Sequence, residues 1–134
     1  MQWLVKEEPG SYSYDQLEKD GKTVWSGVKN PLAQKHLRSI RKGDRIFYYH
    51  TGNERAVVGI AKAAGNAYPD PGDPEGKRVA VDLVPEKRLP KSVPLAAIKS
   101  DKAFAEFPLV RIGRLSVMPV SDVEWSRILK LSGK

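Results

Sequence analysis

Cysteine is absent from the 134 residues, which excludes disulfides, thiolate nucleophiles and sulfur-liganded zinc together. Histidine is scarce. His36 and His50 stand on different predicted elements and belong to no H-x-x-x-H or H-E-x-x-H spacing, so neither a metal site nor a cofactor is expected. No run approaches the roughly 20 apolar residues of a membrane span. The N-terminus, "MQWLVKEEPG", has acidic residues by position 7 and lacks the apolar stretch and small-residue cleavage site of a signal peptide. A cytoplasmic protein is expected. There is no serine elbow, no phosphate-cradling glycine loop and no internal repeat, which favours binding over turnover.

What the chain has is positive charge, +7 net, and an uneven distribution of it. From Lys29 to Arg45 six basic residues (Lys29, Lys35, Arg38, Arg41, Lys42, Arg45) face one acidic residue, Asp44. That is the footprint of a polyanionic partner. Directly before it, "VWSGVKN" (24–30) sets Trp25 among Ser26, Gly27, Lys29 and Asn30, residues typical of a surface turn. A large aromatic usually covers a core. Here, however, Gly27 allows close backbone approach, and Asn30–Pro31 opens a helix whose first N–H groups favour an anion. An aromatic face, a permissive backbone and an anion site together suit a nucleotide.

Length and composition predict one domain over residues 1–134. "QWLVK" (2–6), "RIFYYH" (45–50), "AVVGIAKAA" (56–64) and "RVAVDLV" (78–84) read as strands. Ser13 with Gln16 and Ser121 with Glu124 are spaced as capping boxes. Single short helices between strands, without a βαβ rhythm, predict an α+β domain around one small curved sheet. Alternation along β "FYYH" sends Phe47 and Tyr49 to one side and Tyr48 and His50 to the other, one pair to the core and one toward a ligand. "NAYPDPGDPEGKR" (66–78) reads as a long structureless rim, and "RIGRLSVMP" (111–119) as a core strand with Arg111 and Arg114 exposed. Glu7 and Glu8 are neighbours on an extended chain and so do not share a site. A monomer is expected, for want of an exposed apolar stripe.

Five motifs in register, "VKEEP", "WSGVKN" with "HLR" after it, "GDRIFYYHTGN", "VGIAKAAGNAYPD" and "RLSVMPVSDVEW", resemble the EVE domain, a PUA-like fold similar to the YTH domain, over nearly the whole chain. The resemblance implies a barrel-like sheet with flanking helices and a pocket that receives a base, in particular a modified one, from DNA or RNA. Carried over, Trp25 is the stacking wall, and Gly27, Val28 and Asn30 are the floor and base-edge contacts. His50 and Thr51 form a polar side, while Lys6, Glu8, Pro9, Arg114, Leu115 and Ser116 close the pocket and Tyr68 and Asp70 stand at its rim. Lys29, Lys35, Arg38, Arg41 and Lys42 are the candidates for backbone phosphates. The chain departs from the family pattern at Glu7 (usually Ser), Ser26 (Asp), Lys29 (Arg), Thr51 (Ser) and Met118 (Gln). The changes at 26 and 118 remove an anionic acceptor and an amide that could read a base edge.

Stacking one base on an aromatic is worth about 1–3 kcal/mol, whereas extruding it from a duplex costs a few kcal/mol. Trp25 alone therefore breaks even, and hydrogen bonds and phosphate contacts must supply the rest. Three functions are compatible with these residues. One is a non-catalytic reader of a modified base, and another is a small hydrolase of a modified nucleoside, as in similar ASCH proteins, using Lys6, Glu8 and His50. The third is a general basic RNA-binding domain.

Overall fold

A computed structural model describes residues 1–133. Strand β1 (Gln2–Glu7) runs parallel to β3 (Arg45–His50) and antiparallel to β7 (Val117–Val120). β3 pairs with β4 (Ala56–Ala63), β4 with β6 (Val79–Pro94), and β6 with β2 (Thr23–Trp25) and the two-residue β5 (Tyr68–Pro69). The order β2-β6-β4-β3-β1-β7 gives one curled, half-barrel sheet. The predicted α+β class and curved sheet hold.

Local chemistry places the helices. α1 (Pro9–Tyr12) begins on Glu8, and α2 (Tyr14–Asp20) begins on Ser13, whose hydroxyl accepts from Gln16 N–H, and ends at Gly21 with φ +78°. Only half of the expected Ser13 capping box forms, because the Gln16 amide turns to Asp20 at 2.8 Å. α3 (Pro31–Ser39) starts on Asn30, which accepts from Ala33 N–H at 3.0 Å. α4 (Leu95–Lys99) and α5 (Pro108–Arg111) are single turns, and α6 (Asp122–Leu131) carries the complete Ser121–Glu124 box.

Three expectations are corrected. β6 runs on to Pro94 rather than stopping near residue 84, because register shifts against β4 absorb its prolines. The 111–119 run is the end of α5, a turn and the short strand β7, not one strand. Finally, the 66–78 rim is ordered: β5 pairs with β6, and the Asp73 carboxylate accepts the N–H groups of Glu75, Lys77 and Arg78 at 3.1, 2.9 and 2.7 Å. Those bonds hold its carboxyl below the usual carboxylate range.

The core lies on both faces of the central strands. Phe47 stacks on Trp125 with ring centres 3.7 Å apart, and Tyr48 meets Tyr14 edge-on at 5.6 Å. Phe47, Tyr48, Tyr49 and His50 are all buried, so neither pair stands open as a whole, although Tyr49 lines a cleft at the sheet end. The curl covers both sides of β3.

All five tyrosine hydroxyls hold their protons above the ordinary value near 10. Burial pushes Tyr14 up to about 12, and the hydrogen bond to Asp82 pushes Tyr68 up to about 12. A proton held more tightly in the folded state stabilises it fully below the unfolded value, and that stability is lost as pH rises through the folded value. Tyrosinate absorbance at 295 nm is therefore expected to stay low at pH 10 and to rise together with loss of the near-ultraviolet dichroism toward pH 12. Smooth titration of several tyrosines near pH 10 in the folded protein would contradict this.

Candidate nucleic-acid interface

The turn after β2 is held by two side chains from other segments and ends on a helix cap of its own. Gly27, at φ +72°, donates its N–H to Asp70 Oδ2 at 2.9 Å, and the other Asp70 oxygen accepts from Gly72 N–H at 2.8 Å. Asn30 caps α3. Gln34 donates from Nε2 to the carbonyls of Val28 (2.8 Å) and Val79 (3.3 Å) and accepts from Val79 N–H at 3.0 Å. The Trp25–Asn30 segment is thus preorganised, which lowers the ordering cost of any ligand it receives.

Three sequence expectations change here. Asp70 is 5% exposed and lies under Gly27 rather than at an open rim. Tyr68 donates to Asp82 Oδ1 at 2.5 Å. Trp25 is 6% exposed, with its ring edge-on to Tyr48 at 5.5 Å, so the expected open stacking wall is closed in this conformation. Met118 is fully buried opposite Leu4 in β7, where its departure from the family pattern alters core packing rather than a base edge.

Gln34 is the residue that sequence reasoning missed. It is 3% exposed and sits between Ala33 and Leu37 on the buried stripe of α3; a polar residue on an apolar helical stripe is the signal that could have found it. Gln34→Ala leaves three backbone groups without this partner and is expected to cost about 2 kcal/mol. Urea unfolding measures it, and a change below about 0.5 kcal/mol, the scale of a neutral surface substitution, would show that water replaces the amide.

The remaining candidates fall into two groups on opposite faces of the β1–β3 pair. On one face Glu7 pairs with His50. His50 Nε2 accepts the N–H of Tyr14, a donor left free at the start of α2, at 3.0 Å, which puts the ring proton on Nδ1, 2.7 Å from Glu54 Oε1. Both ring nitrogens are thereby engaged within the protein. At the strand ends, between the two faces, Glu8 caps α1, with Pro9 as its first residue, and accepts weakly from Thr51 Oγ1 at 3.4 Å, and Thr51 lines a cleft with Lys6. On the other face Lys6 pairs with Tyr49 and donates from Nζ to Gly113 O at 2.8 Å, while its own N–H bonds Ser116 O at 2.9 Å. Lys6 is thus joined to the Gly113–Ser116 turn, in which Arg114 is exposed and Leu115 is 2% exposed. The hydrolase constellation Lys6, Glu8 and His50 does not converge.

The basic stretch is mostly surface. Lys29, Lys35, Arg38, Arg41 and Lys42 are exposed, though Arg38 donates to Lys77 O (2.8 Å) and Arg41 to Arg38 O (2.9 Å). Lys29, Lys35 and Lys42 have no carboxylate partner among the described residues. Also among the described residues, no cluster of three or more His, Asp or Glu could hold a metal, and no helix is long and apolar enough to cross a membrane.

Comparison with known proteins agrees with this architecture. The EVE domain family model matches residues 1–131. Human thymocyte nuclear protein 1 is 30% identical over 166 aligned positions, which cover 98% of this chain and 74% of that protein. A Rhodopseudomonas palustris protein solved by NMR superposes with a TM-score of 0.94 at 43% identity, covering 98% of this chain and 92% of that one. Human THYN1 in complex with 5-methylcytosine-containing DNA superposes with a TM-score of 0.91 at 28% identity, covering 99% and 98%. An ASCH protein from Zymomonas mobilis, 12% identical with a TM-score of 0.62 over 97% of this chain and 94% of that one, shares the fold alone. With its sheet order, its capped α3 and a family match over almost its whole length, the chain belongs to the EVE domain family.

Proposed function

We propose that this protein is a non-catalytic nucleic-acid-binding module that captures a modified base at the Trp25–Asn30 segment. The observation that carries the proposal is the preorganised turn itself: a permissive glycine pinned by Asp70, a half-buried Val28 and a capped helix start, followed immediately by exposed cations on α3. The complex of the human relative with 5-methylcytosine-containing DNA supports it. Lys29, Lys35 and Lys42 attract the backbone, while the turn meets the base. Because Trp25 is enclosed, a base reaches its ring only along the exposed edge or after the neighbouring loops part. A flipped or single-stranded base suits this, since less unstacking then opposes capture.

The hydrolase alternative loses its chemistry, as His50 offers no free nitrogen and Lys6 lies on the opposite face. A fluorescence titration tests the proposal, using short single strands that carry cytosine, 5-methylcytosine or other modified bases at fixed salt. One modified strand is expected to bind about tenfold or more tightly than its plain counterpart, the scale of one methyl group in an apolar site. Equal, salt-sensitive binding by every strand would reduce the protein to a general basic RNA- or DNA-binding surface.

A further inference from the structure

The Lys6 face of the sheet end holds a second constellation. Lys6 lies 5.8 Å from the centre of the Tyr49 ring, and with Arg55, Lys99 and the Thr51–Gly52 turn it lines a cleft of about 270 Å³. A recess of about 380 Å³ shares Arg55, Leu95 and Lys99 with that cleft. Three cations therefore line one concavity. Among the described residues no carboxylate lies within 4.0 Å of any of them. Two carboxylates stand nearby: Glu54 lines the recess and meets His50, and Glu8 accepts from Gly10 and Thr51. Burial lowers the Lys6 ammonium below the usual lysine value, as expected for a desolvated cation short of a counter-ion.

Arg55 adds an independent sign. It is the one non-glycine described with positive φ, at 44°, and its carbonyl accepts from Leu95 N–H at 2.8 Å. Glycine is the residue this backbone favours, yet an arginine stands there, at the wall of the cleft. The Thr51–Gly52 turn walls the cleft and also meets Glu8, so close that a Cβ on Gly52 would lie 2.7 Å from Glu8 Oε2. The cleft and the Glu8 side of the base site thus abut across one turn.

We propose that this cleft seats a phosphodiester of the bound strand next to the captured base, with Lys6, Arg55 and Lys99 as its cations. The proposal rests on the base-capturing reading above. A phosphate suits the donors because its several oxygens accept from the arginine fork and two ammonium groups together. The apolar wall of Tyr49, Leu95 and Leu109 suits the adjoining sugar. Lys6, grouped at first with the base pocket, is reassigned to the backbone.

The test compares wild type with Arg55→Gly and Lys99→Ala, using short single strands with one 5-methylcytosine, or one cytosine, whose flanking linkages are phosphodiester or uncharged methylphosphonate. In wild type, methylphosphonate at one flanking linkage is expected to weaken binding roughly tenfold, the scale of a lost charged hydrogen bond. Each variant should lose a similar factor with the diester and little more with methylphosphonate. The slope of log affinity against log salt should become shallower by about 0.7 per lost contact. Preference for the methylated base should be unchanged. Arg55→Gly relieves the backbone, so its melting temperature should not fall, which separates weak binding from misfolding. Wild-type affinity in both variants, or an equal methylphosphonate penalty in all three proteins, would overturn the proposal. So would tight competition by inorganic phosphate with no methylphosphonate effect, which would make the ligand a free anion. Absence of any base preference in wild type would instead sink the base-capturing reading, leaving the methylphosphonate comparison to judge the phosphate seat.

Discussion

Trp25→Ala is expected to lower the unfolding free energy by about 3–5 kcal/mol, the range for removing a buried aromatic, and to abolish preference for a modified base. The indole is 6% exposed and meets Tyr48 edge-on, and Tyr48 in turn contacts His50 and Tyr14. Its loss opens a cavity at the root of the Trp25–Asn30 turn, beside Tyr48. Trp25→Phe separates the two roles, because it keeps a ring in the core. The phenylalanine variant should fold, bind plain oligonucleotide as wild type does, and lose part of its preference. Full preference in a folded phenylalanine variant would show that Trp25 serves the core alone. Denaturant unfolding and the oligonucleotide titration read the two effects separately.

Gly59→Ala is expected to cost about 3 kcal/mol, the upper part of the usual range for overpacking. A Cβ at Gly59 would lie 2.5 Å from Tyr14 Cζ and 2.6 and 2.8 Å from its two ε carbons. The ring cannot swing aside, because its hydroxyl donates to Ile60 O at 2.7 Å and its backbone N–H donates to His50 Nε2 at 3.0 Å. Displacing Tyr14 therefore disturbs His50 and Tyr48 together, and through Tyr48 the seat of Trp25. Tyr14→Leu removes the colliding atoms, so the double variant should be less destabilised than the sum of the two single variants. Additive losses would mean that the strand, not the ring, gives way.

The parts of the fold legible in the sequence were those governed by short-range rules. Asn30–Pro31 and Ser121–Glu124 start α3 and α6 because their hydrogen bonds lie within one helical turn. The far half of β6 is not legible because Pro85, Pro90 and the charged run between Glu86 and Lys91 mimic a loop; only pairing with β4 shows that the chain stays extended past residue 84. The two pairs of side chains on β3 could not be sorted into inside and outside, since alternation carries no information when a curled sheet buries both faces.

The candidate site shows the same division. The Trp25–Asn30 turn is continuous in sequence and was visible as an aromatic beside glycine and an N-cap. What holds it comes from elsewhere: Asp70 from a proline-rich segment that resembled a solvent rim, and Gln34 from the buried stripe of a helix. His50 was visible as a candidate, but its two hydrogen bonds, to Tyr14 and Glu54, depend on tertiary placement. Lys6, Arg55 and Lys99 lie on three separated segments, and no spacing rule brings them to one cleft.

The most direct test of the central claim maps backbone amide shifts in the ¹⁵N-labelled protein as two short single strands are added, identical except for the methyl group of one cytosine. The account predicts methyl-dependent shifts concentrated at Gly27, Val28, Thr51 and Gly72, together with the Trp25 indole N–H, and methyl-independent shifts along α3. Identical maps for the two strands, confined to the lysine-bearing surface, would contradict it and leave a basic protein that does not distinguish bases.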